Sequence, residues 1–358
     1  MNKERITQLD GLRGLAILLV IFFHAYARWP QHVPWATAHS EFPLFKYGWM
    51  GVELFFMISG FVIYMTLERC NGLWEFLYKR WLRLFPAMLI ATVLVFFSSD
   101  LFRERPAGTP QWYDAIPGLL FLEPGILSKI FGVDFSSLEG AFWSLYVEVK
   151  FYLIFGTIYF INKKKSLHVL ILIFLVVCIF YLGKYLGFLT DSNFLIKILF
   201  NLLSLNYFGW FCIGALIYLF KKNGAAKYLI GACVLLPLAL ELNTGRDPGA
   251  LIFGMGVFLI FVGANSSKAL AKLLSRFPFV FFGFLSYPLY LIHENLIIAM
   301  TVKSRLWAKW LPDMLTPVPG MLIVTIVAYI IASYLEPSVR MRLSTFKPFG
   351  SFRNGRVD

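Results

Sequence analysis

Histidine and acidic side chains stand inside long apolar stretches of this sequence, where ionisable groups are rare. His24, Glu53, Glu148 and His293 each lie in such a stretch, and Glu294 follows His293 directly. Because a charge at membrane depth is energetically expensive, residues of this kind indicate a functional site by default. A histidine beside carboxylates suits general base chemistry, since a carboxylate can orient the ring and stabilise its charged form. The alternative is a set of independent buried pairs that hold helices together.

Two arginines form a second group of residues that could do chemistry. Arg80 and Arg83 are three residues apart where the third apolar stretch begins, so they share a helical face. Two guanidinium groups at this spacing can bind phosphate oxygens, although ordinary anchoring at the membrane surface is the alternative. Asp10 and Arg13 have the same spacing and flank the inner start of the first apolar stretch, where they can pair or complete a polar entrance.

The elements that must position these residues are membrane helices. The chain has 358 residues, of which 59% are hydrophobic and 15% charged, with a mean hydropathy of +0.70. This composition excludes a soluble globular, disordered or fibrous protein. The apolar runs are continuous and do not alternate with polar residues, which excludes a membrane β-barrel. The predicted fold class is an all-α, polytopic membrane helix bundle.

About twenty apolar residues span a bilayer, and ten stretches of the sequence meet this requirement. They predict one membrane domain covering residues 1–358, without a soluble appendage. The predicted spans are 12–29, 48–67, 81–98, 141–161, 166–187, 196–220, 227–241, 249–265, 278–301 and 319–337. The longest connection, 99–140, is rich in proline and aromatic residues and is typical of a lid or binding surface.

The distribution of positive charge predicts that both termini lie inside. The net charge is +13, and 21 of the 33 Lys and Arg residues fall on the inner segments of this topology. The charge therefore does not indicate a nucleic-acid partner. The four cysteines are far apart in sequence and indicate packing residues. A basic start followed by Ala25-Tyr26-Ala27 leaves a cleaved signal peptide as the alternative for the first span.

The predicted topology brings the ionisable residues to one depth. His24 lies eleven residues beyond Arg13, about 16 Å along a helix, in the outer half of its span. Glu53, Glu148 and the His293-Glu294 pair reach a similar level from three other spans. An elongated phosphorylated molecule could therefore bind the inner arginines and present its reactive end near the outer histidines. The sequence contains no phosphate-binding loop, dinucleotide motif or zinc motif, and no metal is expected.

Five segments resemble, in order, the motifs of the acyltransferase-3 family of integral membrane acyltransferases. They are LDGLRGLAILLVIFFH, GVELFFMISGFVI, KRWLRLFP, FWSLYVEVKFYLIF and FLSYPLYLIH, and they extend from residue 9 to residue 293. The resemblance implies a ten-helix bundle that takes an acyl group, commonly acetyl, from cytoplasmic acyl-CoA. It implies delivery to a hydroxyl on the extracytoplasmic side, usually of a cell-surface carbohydrate.

The resemblance also implies roles for the donor-binding side chains. Arg80 and Arg83 match the R-x-x-R motif that is taken to engage the acyl-CoA phosphates. Arg13 matches the arginine of the D-G-L-R-G start, and Asp10 is the aspartate of the same motif.

Further roles follow for the outer residues. The resemblance makes His24 the catalytic histidine, and Glu148 matches the acidic residue after the W-S-L stretch. Glu53 stands where the family often has Asp, and His293 matches the histidine that closes the motif S-Y-x-L-Y-L-x-H. We expect Glu148 or Glu53 to orient the ring of His24.

The predicted function is O-acetyl transfer from acetyl-CoA to a carbohydrate hydroxyl in a bacterial inner membrane. His24 acts as general base or carries the acyl group in a covalent relay. The partners are acyl-CoA, a cell-surface glycan or lipid-linked saccharide and the bilayer. Two alternatives stay open, namely a small-molecule or lipid acceptor, and a proton-coupled transporter or exporter.

Overall fold

The chain folds into a bundle of long helices. The computed structural model describes residues 6–190 and 193–345, and within these ranges every regular element is a helix. Eight helices are long and apolar enough to cross a membrane, and two bent pairs raise the number to ten. The predicted all-α membrane bundle is confirmed. The spans, numbered α1 to α10, are Thr7–Arg28, Gly48–Leu67, Leu73–Ser98, Gly140–Ile161, Ser166–Tyr185, Phe194–Leu202 with Leu205–Asn223, Ala226–Thr244, Pro248–Ser266, Lys268–Leu274 with Phe279–Trp307, and Asp313–Thr345.

Two of the spans are bent by 60°. In α6 the bend falls beside Ser204, whose left-handed backbone (φ 54°) interrupts the helical hydrogen bonds. In α9 it precedes Pro278, which has no backbone N–H with which to continue the first segment. Hydropathy places both spans but carries no information on these backbone angles.

The third span begins earlier than its apolar stretch predicts. The prediction was 81–98, whereas α3 starts at Leu73. Its first two turns are amphipathic, so a hydropathy criterion leaves them out although they continue the same helix. Arg80 and Arg83 consequently lie two to three turns inside a continuous helix and not at its opening.

Glycines allow α1 and α9 to pack with their backbones in contact. A Cβ at Gly283 would lie 1.8 Å from the carbonyl oxygen of Asp10, and one at Gly11 would come equally close to the backbone of α9. Only a residue without a side chain fits such a contact. This close packing sets the two helices side by side and brings His24 to the level of His293.

Large apolar side chains cover the outside of the spans. Leu172, Ile179, Leu259 and Ile326 are each more than half exposed in the middle of their helices. Helices that contact lipid expose residues of this kind, whereas soluble proteins bury them. The sidedness of the termini stays a prediction. Among the cations that support it, Lys3, Arg5 and those after residue 345 lie outside the described residues.

The connection between α3 and α4 is fixed by hydrogen bonds to Asn295 in the middle of the second segment of α9. The backbone N–H of Asn295 donates to Glu139 at 3.0 Å, and its side-chain amide donates to the carbonyl of Leu138 at 3.1 Å. The backbone N–H of Ala107 donates to the Asn295 side chain at 3.0 Å. The connection contains two short helices, Ala115–Leu120 and Pro124–Phe131. Its end therefore packs on the residue that follows Glu294.

Candidate active site

His24 and His293 meet edge to face between α1 and α9. Their ring centroids lie 4.7 Å apart, and Nε2 of His293 is 3.2 Å from Nδ1 of His24. The same Nδ1 lies 2.9 Å from the carbonyl oxygen of Val20, and Nδ1 of His293 lies 2.9 Å from that of Tyr290. His293 is fully buried, and the His24 side chain is 11% exposed. Two histidines 269 residues apart in sequence thus form one pair.

Glu294 is the carboxylate that faces this pair. Its Oε1 lies 3.5 Å from Nε2 of His24, and its Oε2 accepts a hydrogen bond of 2.6 Å from the backbone N–H of Ala141. A Cβ at Gly140 would lie only 2.7 Å from Oε2, so the backbone closes tightly around the carboxylate. Gly140 and Ala141 at the start of α4 therefore fix the position of the Glu294 carboxylate, and we call these two residues its seat.

The hydrogen-bond partners assign the protons on the two rings. Each Nδ1 faces a carbonyl oxygen, which can only accept, so each Nδ1 carries a hydrogen. His293 Nε2 is then an acceptor for the His24 N–H, and His24 Nε2 keeps a free lone pair. That lone pair faces the carboxylate of Glu294. His24 Nε2 is consequently the nitrogen that can take a proton, and Glu294 can stabilise the resulting imidazolium.

The first turn of α4 also supports His293 indirectly. The hydroxyl of Tyr290 lies 2.7 Å from that of Ser144 and donates to the carbonyl of Ala141 at 3.0 Å. Because the carbonyl of Tyr290 holds His293, these contacts fix the orientation of the second ring. On the side of α1, the helix widens to a π-helical turn that begins at His24, a feature common at functional sites.

A second carboxyl group lies behind Glu294. Glu139 precedes α4, is fully buried and accepts a hydrogen bond from Asn295, while the neighbouring Arg105 donates to the carbonyl of Leu138. Burial and the nearby charge of Glu294 raise the pKa of Glu139 to about 8, against the opposing effect of Arg105. A raised pKa favours the uncharged form of Glu139, which limits its repulsion of Glu294.

Three arginines line one cavity of about 670 Å³. Arg13 comes from α1, where its guanidinium pairs with Asp10 at 2.8 Å. Arg80 and Arg83 come from α3, and Arg80 donates to the hydroxyl of Thr66 at 2.8 Å. Nε of Arg80 is buried and has no hydrogen-bond partner in the described part of the chain. The sequence-predicted arginines therefore share one site, and donor capacity remains for a ligand.

Glu148 belongs to this arginine cavity. It accepts hydrogen bonds from the hydroxyl of Tyr152 at 2.6 Å and from that of Ser59. The expectation that it orients His24 is therefore corrected, because the structure gives that position to Glu294. Hydropathy fixed the depth of each carboxylate but not the rotation of the helix that carries it.

The arginine cavity continues into a second cavity of about 860 Å³. The residues that line both are Arg13, Arg83, Ser286 and Tyr287. The second cavity extends to Asp10 at the start of α1 and to Arg340 in α10. The first cavity reaches Tyr290, one helical turn from His293. Their lining residues together extend from Asp10 and Arg340 to Tyr290, and we call the two adjoining cavities together the passage.

Glu53 lies in a different place from the one predicted for it. It is 2% exposed and lines a separate hollow with Trp49, Trp143 and Tyr207. The structure pairs His24 with His293 and Glu294 and gives Glu53 aromatic neighbours, so the expectation that Glu53 orients His24 is corrected as well.

Sequence reasoning named Glu294 only as the neighbour of His293 and missed the seat at Gly140. The available signal was the position of Gly140, two residues before the motif that contains Glu148. Within residues 6–190 and 193–345, no group of three His, Cys, Asp or Glu side chains is arranged to hold a metal ion.

Comparison with known proteins places the chain in a family. The family model described as an acyltransferase domain, the acyltransferase-3 family, matches residues 6–336. The chain belongs to this family. The family assignment and the enzyme class predicted from the sequence are thereby confirmed.

Two relatives of this acyltransferase are larger proteins. It is 26% identical to the O-acetyltransferase OatA of Staphylococcus aureus (strain NCTC 8325 / PS 47), an alignment that covers 81% of the chain and 50% of OatA. It is 25% identical to the peptidoglycan O-acetyltransferase OatA of Listeria monocytogenes, covering 84% of the chain and 50% of that protein. The chain thus spans about half the length of these relatives.

A third relative has a similar length. The acyltransferase is 24% identical to the putative acetyltransferase ORF330 of Acidianus two-tailed virus, over 82% of the chain and 84% of the viral protein. No solved structure matches the chain.

Proposed function

We propose that this membrane acyltransferase transfers an acetyl group from cytoplasmic acetyl-CoA to a hydroxyl of a cell-surface carbohydrate in a bacterial inner membrane. One observation carries the proposal. His24 presents an unoccupied nitrogen to Glu294 above a passage that begins among arginines. A base above a phosphate-binding passage suits a donor that is anchored by phosphates and reacts at its far end.

The relatives support the choice of acyl group and acceptor. Two of them are named O-acetyltransferases, and the Listeria protein is named for its action on peptidoglycan. An acetyl donor and a glycan hydroxyl acceptor are therefore the substrates we assign to this chain.

The arginine cavity is the proposed binding site for the donor. Arg13, Arg80 and Arg83 supply planar, permanently charged groups that suit phosphate oxygens. Glu148 and Tyr152 line the same cavity, where the carboxylate of Glu148 can keep the guanidinium groups in place before the donor arrives. The passage towards Tyr290 then accommodates the extended arm that carries the thioester.

His24 acts as the general base in the proposed reaction. The acceptor oxygen attacks the carbonyl carbon of the thioester while Nε2 of His24 removes the hydroxyl proton. A C–O bond forms, the C–S bond breaks, and the proton passes from His24 to the departing CoA thiolate. Glu294 stabilises the imidazolium during the transfer, and the Val20 carbonyl keeps Nδ1 in place.

Radiolabelled acetyl-CoA, supplied to one face of sealed membrane vesicles, tests the proposal. We expect label to enter a carbohydrate fraction on the opposite face, and only when the donor is on the cytoplasmic face. Label retained on the protein when the acceptor is withheld would indicate a covalent acyl-histidine relay. Label in a lipid extract or a small molecule would change the acceptor.

The transporter alternative makes the opposite prediction for the same vesicles. If no fraction is labelled with several acyl-CoA donors, the proposed activity is wrong. His24, Glu53, Glu148 and His293 would then be tested as a proton pathway by measuring proton flux across the vesicle membrane.

A further inference from the structure

A hollow of about 570 Å³ lies outside the passage described above, at the end of α2 where Glu53 stands. Along α2, Glu53 lies thirteen residues before Thr66, the partner of Arg80, which separates them by about 20 Å. The hollow is therefore well separated along α2 from the partner of Arg80. The proposed mechanism uses none of its lining side chains.

The walls of the hollow combine aromatic faces with amide groups. The rings of Trp143 and Tyr207 lie 5.0 Å apart at 45°, so they form an open corner and not a closed stack. Trp143 is 38% exposed, which leaves an indole surface free for contact. Asn206 and Asn243 line the same space with hydrogen-bonding side chains.

Glu53 supplies a polar group without a partner. It is 2% exposed, and its Oε2 is buried without a hydrogen-bond partner in the described ranges. A buried carboxylate oxygen left unpaired destabilises the protein, because it has lost water and gained no donor. The Glu53 side chain is one of those that line the hollow.

The hollow continues into a larger one of about 990 Å³. The residues lining both are Trp143, Asn206, Tyr207 and Leu242. The larger hollow adds the neutral polar side chains of Asn201 and Ser204 and, further along, the charged side chains of Glu123 and Lys184. We call the two hollows together the aromatic groove.

We propose that the aromatic groove binds a neutral saccharide, the acceptor of the proposed transfer reaction, on which this inference rests. A sugar ring has an apolar C–H face, which suits the negatively polarised faces of Trp143 and Tyr207. Its rim carries hydroxyl groups, which donate to Glu53 and bond with the amides of Asn206 and Asn243. An acyl chain would offer Glu53 no donor, and an ammonium group would fill only one end of the groove.

The first turn of α4 separates the aromatic groove from the residues that support the active site. Trp143 lines the groove, whereas the next residue, Ser144, lines the arginine cavity and bonds the hydroxyl of Tyr290. Two residues before Trp143, the N–H of Ala141 holds Glu294. A saccharide in the groove therefore lies beside the wall that carries the active-site supports.

Saturation-transfer NMR on the purified full chain tests this site without acetyl-CoA. The probes are chitotriose and cellotriose, with choline as the cationic competitor. We expect saccharide signals with the unmodified chain and at least tenfold weaker binding with Glu53→Gln and with Trp143→Leu. The matched control is Trp112→Leu, because Trp112 is an exposed indole of the α3–α4 connection that does not line the groove. It should bind as the unmodified chain does.

Two results would overturn the inference. One is no saccharide signal with the unmodified chain. The other is equal binding by all variants, which would leave Glu53 a structural residue. Groove-dependent binding of choline alone would replace the saccharide by a cation. If Glu53→Gln does not fold, as judged by its thermal midpoint, Tyr207→Leu takes its place.

The binding measurement separates this inference from the proposed function. Saccharide binding that depends on the groove, without acetyl transfer, would support the groove and contradict the enzyme activity. Acetyl transfer without groove-dependent saccharide binding would support the enzyme activity and contradict the groove.

Discussion

At the scale of single residues, the surroundings of His24 select one of its two nitrogens. Val20 and His293 occupy Nδ1, and Nε2 faces Glu294 across 3.5 Å. This distance is too long for a strong hydrogen bond, so Nε2 stays available as a base. It is short enough for the carboxylate of Glu294 to stabilise a positive charge on the ring.

Replacing the charge of Glu294 tests its role at this scale. Glu294→Gln keeps an acceptor for the Ala141 N–H but loses the charge that stabilises the imidazolium. We expect the turnover rate to fall about 10²-fold, with the KM for acetyl-CoA unchanged. Steady-state acetyl transfer measures both quantities. An unchanged turnover rate would remove Glu294 from the mechanism.

The seat of Glu294 can be disturbed without touching its charge. In Gly140→Ala, the new Cβ would lie 2.7 Å from the carboxylate and must push it away from Ala141. We expect transfer to slow by about 10²-fold, because small displacements at a reacting centre have large effects. Gly125→Ala is the matched control, since a Cβ there meets nothing within 4 Å. Equal activity of the two variants would show that the seat is unimportant.

The sequence predicted His24 and His293, but not their common partner. Both stand at a defined depth, which hydropathy reveals, and both close motifs of the acyltransferase-3 resemblance. Depth does not specify which way a side chain points around its helix. For that reason Glu148 and Glu53 seemed equivalent to Glu294 in sequence, although helix rotation directs them to the arginine cavity and the aromatic groove.

At the scale of elements, the close packing of α1 on α9 creates the histidine pair. Backbone contacts at Gly11 and Gly283 hold the two helices together below the site. The bend of α9 before Phe279 lets its long second segment run beside α1. The ten spans could be predicted from hydropathy, but the bends could not, because they arise from backbone angles and packing.

A methyl group at this interface tests the packing. In Gly283→Ala, the Cβ would lie 1.8 Å from the carbonyl oxygen of Asp10, so the helices must separate. We expect the free energy of unfolding to fall by about 1–3 kcal/mol, with a lower thermal midpoint and lower activity. Gly256→Ala on α8 meets nothing within 4 Å and should leave the midpoint unchanged or raise it. A stable Gly283→Ala variant would contradict the close packing.

At the scale of the whole molecule, the arginine cavity and the aromatic groove occupy different stretches of α2. Phe55, Ser59 and Val62 line the cavity, whereas Trp49 and Glu53 line the groove. Thr66, the partner of Arg80, lies about 20 Å beyond Glu53 along the helix. The charge bias of the sequence predicts an arginine end, but only the folded chain gives the two arginine cavities a shared lining.

The arginine end should control donor affinity. Because a charged hydrogen bond contributes about 1.5–3 kcal/mol, Arg83→Ala should raise the KM for acetyl-CoA by about 10- to 100-fold. The turnover rate at saturating donor should change little, and added salt should narrow the difference between the two proteins. Lys79→Ala is the matched control, since this exposed lysine on the same helix pairs with Glu75. An equal KM for acetyl-CoA in the two variants would show that Arg83 does not bind the donor and serves only to anchor its helix in the membrane.

The central claim is that Nε2 of His24 takes the proton of the acceptor hydroxyl. The most direct measurement compares acetyl transfer by the unmodified chain, His24→Ala and His168→Ala at matched protein levels. His168 is an exposed histidine of α5 and controls for the loss of an imidazole. The account predicts that His24→Ala loses about 10²- to 10⁴-fold in rate, while His168→Ala keeps full activity. Equal rates for all three proteins would contradict it and would move the search for the base to His293.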